Sequence, residues 1–144
     1  MKRISILATV AVMAVACNQQ DQSAEKAEHT VASAKKEKSW KEMDEFHATL
    51  SATFHPAESG NLQPVKDSAQ VLVSRAETWK SGSVPEGYDA AVAAPLLARL
   101  SAQAIALQGQ VQQAASDSVL TVEITRLHDI YHEITEKCNA EEHH

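Results

Sequence analysis

Apolar side chains recur at spacings of three and four from about Lys38 to Cys138, and no stretch sustains a period of two, so the pattern predicts helices and no strands. A first helix is expected over about 38–55, with Trp40, Met43, His47, Leu50 and Phe54 on one face. Pro56 disfavours helix in the residue before it and marks the end. After the turn Pro56-Ala57-Glu58-Ser59-Gly60-Asn61, a second helix opens around Pro64, which the first turn of a helix tolerates, and carries Val65, Ala69, Leu72, Ala76 and Trp79.

The stretch from Ser81 to Gly87, with Gly82, Pro85 and Gly87, is punctuated as a loop. A third helix begins near Asp89 or a few residues later, because Pro95 forces a late start or a kink; it runs through Leu96, Leu100, Ile105 and Leu107 to about Ala115. Ser116 or Asp117 caps a fourth, whose face is Leu120, Ile124, Leu127, Tyr131, Ile134 and Cys138. Four amphipathic helices with short connections predict an all-α fold, an antiparallel up-down-up-down four-helix bundle. The first and last helices are then antiparallel neighbours, and Trp40 and Trp79 meet at one end as core.

The N-terminus has a different pattern. Met1-Lys2-Arg3 precedes an apolar run from Ile4 to Ala16, and small residues lead up to Cys17, as in a secretory signal; the run is too short for a mature membrane span. The Val15-Ala16-Cys17 junction resembles the lipobox of bacterial lipoproteins. That resemblance implies removal of residues 1–16 and acylation of the Cys17 thiol, and Asn18 in place of an aspartate implies sorting to the outer membrane, facing the periplasm. Residues 17–36, rich in Gln, Ser, Ala, Lys and Glu, are expected to be a flexible tether that cannot bury enough surface to fold. The bundle would occupy 37–140 and a frayed tail 141–144.

Composition narrows the partners. The chain carries a net charge of −6. No basic cluster occurs beyond Lys35-Lys36 and Lys38, which argues against nucleic acid. Of two cysteines, one is assigned to the lipid, so no internal disulfide is expected and Cys138 reads as a small core residue. Membrane contact then rests on the N-terminal lipid.

Histidine placement carries the candidate chemistry. His128-x-x-x-His132 puts two imidazoles on one helical face, and imidazole is the commonest metal ligand. If the end of the first helix at His55 stands level with Leu120, two turns back along one helix and forward along the other bring His47 level with His128. One turn further, Met43 and Asp44 meet His132. A seam site of His47, His128 and His132 is therefore expected, with Met43 as an additional ligand favouring Cu(I). His55 would join Glu58 in a second site or cap the first helix. Such ligands suit Zn, Cu, Ni or Co rather than Ca or Mg. His29 reads as a linker residue and His143 and His144 as part of the tail. The motif is not that of the zincin proteases, because Asp129 stands where their glutamate would be.

The stretches Phe54-His55-Pro56-Ala57-Glu58-Ser59-Gly60-Asn61-Leu62-Gln63-Pro64 and Leu127-His128-Asp129-Ile130-Tyr131-His132-Glu133-Ile134 resemble a family of short bacterial exported proteins and lipoproteins with helical-bundle folds. The resemblance implies an exported bundle and a heavy-metal association, and no reaction. More broadly, His128 followed by Tyr131 is similar to the end of the haem motif in four-helix cytochromes of the c-prime and b562 type. Ile124 and Leu127 occupy the cysteine positions there, which excludes a thioether link and leaves only b-type haem binding as an alternative.

The reading that follows is an exported lipoprotein that buffers, senses or delivers a transition metal, with metal-transport or efflux components as partners. A structural or interaction lipoprotein is the other alternative. No nucleophile–base pairing or phosphate loop suggests an enzyme.

Overall fold

A computed structural model describes residues 39–138. The expected signal sequence, Cys17, the expected tether with His29, and the terminal residues with His143 and His144 lie outside the described residues. Four helices follow one another: α1 (Lys41–Glu58), α2 (Gln63–Ser81), α3 (Ala90–Gln112) and α4 (Asp117–Lys137). Each packs on the next, and α1 also meets α4, which closes an all-α four-helix bundle. Neighbours run in opposite senses: Gln70 and Glu77 of α2 reach Gln108 and Ser101 of α3, and Arg99 and Gln103 of α3 reach Glu133 and Glu123 of α4.

Local signals explain most of the boundaries. Asp89 accepts hydrogen bonds from the backbone N–H of Ala91 and Val92 and starts α3; Ser116 accepts from Val119 and starts α4. Glu42 and Asp44 place negative charge in the first turn of α1, where the helix dipole favours it. Gly60 takes φ 85° in the turn after α1, a conformation that favours glycine. The Asp89 N–H also donates to the Cys138 carbonyl at 2.8 Å, tying the start of α3 to the end of α4.

The core follows the α2 and α4 stripes read from the pattern. Val65, Ala69, Leu72, Ala76 and Trp79 are all buried, as are Leu120, Ile124, Leu127, Tyr131, Ile134 and Cys138. Trp40 and Trp79 share one end, their rings perpendicular at 5.5 Å. Both indole N–H groups are buried without a hydrogen-bond partner. Trp40 also packs on Tyr88, and Trp79 on Phe46 and Tyr131.

Several expectations are corrected. α1 does not stop before Pro56 but continues to Glu58, because a proline in the last turn forfeits only the bond to the Ala52 carbonyl, and Ala52 is exposed. The buried face of α1 is Phe46, Leu50, Thr53, Phe54 and Ala57; His47 is exposed and does not sit in the apolar stripe. Phe46 lies one residue, or about 100°, away and takes the core position, since burying a phenyl ring is far more favourable than burying an imidazole. Pro95 neither delays α3 nor breaks it, because Pro95 and Ala91, whose carbonyl loses its partner, both face outward. Ile105 is 50% exposed, whereas Ala104 next to it is buried. Ala114 adopts φ 53°, which ends α3 at Gln112 rather than Ala115.

By length and composition α3 would suffice to cross a membrane. In the bundle it buries Leu96, Leu97, Leu100, Ala104 and Leu107. The Ser101 hydroxyl, also buried, donates to Glu77, and Lys80 donates to Ser101 at 3.3 Å. This polar staple joins α2 to α3.

The reassignment of the α1 face is directly testable by urea denaturation. Phe46→Ala is expected to cost about 3–5 kcal/mol, the range for truncating a buried aromatic ring, and His47→Ala less than about 1 kcal/mol. Comparable losses at the two positions would contradict this placement.

Candidate metal centre between the first and last helices

Where polar bonds link the other neighbouring helices, α1 and α4 meet through rings. Phe54 lies flat on His128, with centroids 3.8 Å apart and planes 10° from parallel. His47 stacks on Tyr131 at 4.9 Å and 6°, and Phe46 lies behind Tyr131 at 6.2 Å. The resulting register puts Phe54, not His47, opposite His128. Part of the displacement has a simple cause: α1 extends three residues beyond the expected stop at His55, which moves His47 from the level of His128 to that of Tyr131, about one turn along α4.

His128 and His132 come together as their spacing predicts. Their Nε2 atoms are 3.1 Å apart and the rings are close to perpendicular, with one nitrogen donating to the other. His132 is exposed, whereas Phe54 half-covers His128. The edge of His132 also approaches Tyr131 at 5.7 Å.

The other candidates fall on either side of this pair. The Nε2 of His47 is 3.1 Å from the Ser51 hydroxyl, and its ring is spent on Tyr131. Met43 is partly buried and packs against the core. His55 is exposed, and its Nδ1 lies 2.9 Å from a carboxylate oxygen of Glu58 one turn on. Among the described residues, no group of three or more His, Cys, Asp or Glu side chains is already arranged to hold a metal.

Electrostatics distinguish His128 from the rest. Burial, and next the positive form of His132, push its pKa below the ordinary imidazole value; His55 acts in the same direction, and Asp129 and Glu58 oppose it. The ring is thereby kept neutral, the form that ligates metals. Two carboxylates nevertheless stand close enough to favour a cation there. Of the expected trio, His128 and His132 stand together, and His55 and Glu58 of α1 act electrostatically on His128.

Two further features were not legible in the chain. Phe54 as the platform for His128 depends on the interhelical register, and the Glu77–Ser101 bond joins residues on different helices. Ser101 is almost fully buried, so its hydroxyl serves packing. A cavity of about 340 Å³ opens between α3 and α4, lined by Arg99, Gln103, Arg126, Asp129 and Ile130. Its guanidinium groups are paired with Glu133 and Glu123. Cys138 is buried and free, and burial first, then Asp89, raises its thiol pKa, which disfavours the thiolate.

Comparison with known protein families, curated proteins and solved structures returns no match for this chain.

The depressed His128 pKa sets a direction for stability against pH. A histidine that is harder to protonate when folded contributes stability present above its unfolded pKa of about 6.5 and lost as the pH falls from there toward the folded value. Glu77 and Glu133, held low chiefly by hydrogen bonds from Lys80 and Lys137, lose their contributions only further down, below the ordinary glutamate value. The melting temperature is therefore expected to begin falling below about pH 6.5, with a shallower fall in His128→Asn; equal slopes in the two proteins would refute this assignment.

Proposed function

We propose that this protein binds a divalent transition-metal ion through His128 and His132 and holds or hands on that ion without transforming it. The supporting observation is the approach of the two Nε2 atoms to 3.1 Å. At metal–nitrogen distances of about 2.0–2.1 Å, two imidazoles on one ion stand about 2.9 Å apart at a right angle and about 3.4 Å apart at the tetrahedral angle. The pair lies between these values, so an ion can replace the shared proton after a small outward rotation of the exposed His132 ring.

The surroundings favour the same occupant. Phe54 restrains one ring before any ligand arrives, which lowers the entropy lost on binding. Asp129 and Glu58 supply negative potential, and neutral nitrogen ligands select Zn(II), Cu(II), Ni(II) or Co(II) over hard cations. Met43 packs against the core, so the case for Cu(I) weakens. A haem between α1 and α4 would have to displace the Phe54–His128 and His47–Tyr131 stacks.

The cellular setting in this reading comes from the N-terminal pattern: export, acylation at Cys17 and anchorage in the cell envelope through the tether of residues 17–36. Metal-transport or efflux components of the envelope are the partners such a carrier would serve.

The competing account treats the imidazole pair as a structural hydrogen bond alone. Titration of the purified protein with Zn(II), Cu(II), Ni(II) and Co(II), followed by calorimetry and melting temperature, separates the two. Binding with a rise in melting temperature is expected for at least one ion, and loss of both in His132→Ala. Heats of dilution with all four ions would leave the pair a hydrogen bond.

A further inference from the structure

Two imidazoles leave a transition metal short of ligands, and the Phe54–His128 stack puts the end of α1 that carries His55 beside them. We infer that His55 of α1 supplies its Nε2 to the ion held by His128 and His132, with Glu58 orienting the ring, so that the bound metal clasps the first helix to the last. The inference rests on the metal reading above and adds to it a third ligand and an interhelical link.

Three observations meet here. First, the rings are contiguous: His128 lies on Phe54 at 3.8 Å, and His55, the next residue, has its ring 5.6 Å from that of Phe54. Second, His55 already makes the bond that metal-ligating histidines make. Such a histidine donates its other ring nitrogen to a carboxylate, which selects the tautomer and aims the free nitrogen at the ion. The His55 Nδ1 is 2.9 Å from Glu58, which assigns the opposite nitrogen, Nε2, the ligating role. Third, both His55 and Glu58 act electrostatically on His128 across the seam, so the two helices share one local field.

The side chains of His55 and Glu58 are 66% and 54% exposed, which leaves rotamer freedom to swing onto an ion. Pro56 removes one bond from the last turn of α1, and the helix ends within three residues at Ser59. An incoming ion then draws together a pair of helices otherwise joined by stacked rings, and three imidazoles with one coordination position for water complete a tetrahedral set.

The experiment uses the whole purified chain with Zn(II) and Cu(II) as probes and compares wild type with His55→Ala, Glu58→Gln and His132→Ala. All three positions are exposed, so the variants are expected to fold, which far-ultraviolet circular dichroism checks before titration. His55→Ala is expected to weaken Zn(II) binding at least about ten-fold and Glu58→Gln by about ten-fold, in line with the cost of losing a ligand's carboxylate partner. In the Cu(II) form, electron paramagnetic resonance should count three coordinated nitrogens in wild type and two in His55→Ala. Unchanged affinity and nitrogen count in His55→Ala, with binding abolished in His132→Ala, would overturn the clasp and leave the two-histidine chelate standing. Unchanged binding in His132→Ala would overturn both.

Discussion

The stack of Phe54 on His128 is the contact on which the rest of the α1–α4 seam depends. Two rings 3.8 Å apart and almost parallel leave no freedom for one helix to slide past the other by a turn without parting them. With that register set, Tyr131 falls between Phe46 and His47, and the end of α1 carrying His55 and Glu58 lies beside the α4 histidines. The seam combines packing and chemistry in one set of side chains. Tyr131 is buried in the core, while His47, stacked on it, is exposed.

This arrangement gives the histidines unequal properties. Burial makes protonation of His128 costly, and its neighbour His132 adds to the cost. His132, on the same helix face and exposed, keeps the freedom to turn. A restrained neutral imidazole beside a mobile one suits ion capture: the first lowers the ordering cost, and the second adjusts the angle between the ligands. The α2 and α3 helices take little part in this. They provide the scaffold, stapled by Glu77, Ser101 and Lys80, against which the outer helices are held.

Much of the architecture was legible along the chain. Stripes on α2 and α4 are visible because each buried position bears an apolar side chain and the exposed positions between them are mostly polar, so spacing and burial agree. On α1 they did not agree. Met43 and His47 extend a regular three-and-four spacing from Trp40, yet Phe46, one step away, has much the greater gain from leaving water. The two prolines misled in a related way. Their steric cost is local, but whether a lost backbone bond matters depends on whether the abandoned carbonyl faces solvent, as those of Ala52 and Ala91 do on exposed residues.

The His128–His132 pair was within reach of the sequence because four residues make slightly more than one helical turn, and that geometry belongs to the helix itself. The all-helical class, the order of four helices, the capping by Asp89 and Ser116, and the meeting of Trp40 with Trp79 likewise follow from the residues alone. The partner of His128 across the seam did not. It depends on the register of α1 against α4, an outcome of tertiary packing, and Phe54 stands two turns along α1 from His47. Short-range periodicity encodes which residues share a face, whereas the register between faces distant in the chain is decided only when whole side chains compete for the same interior space.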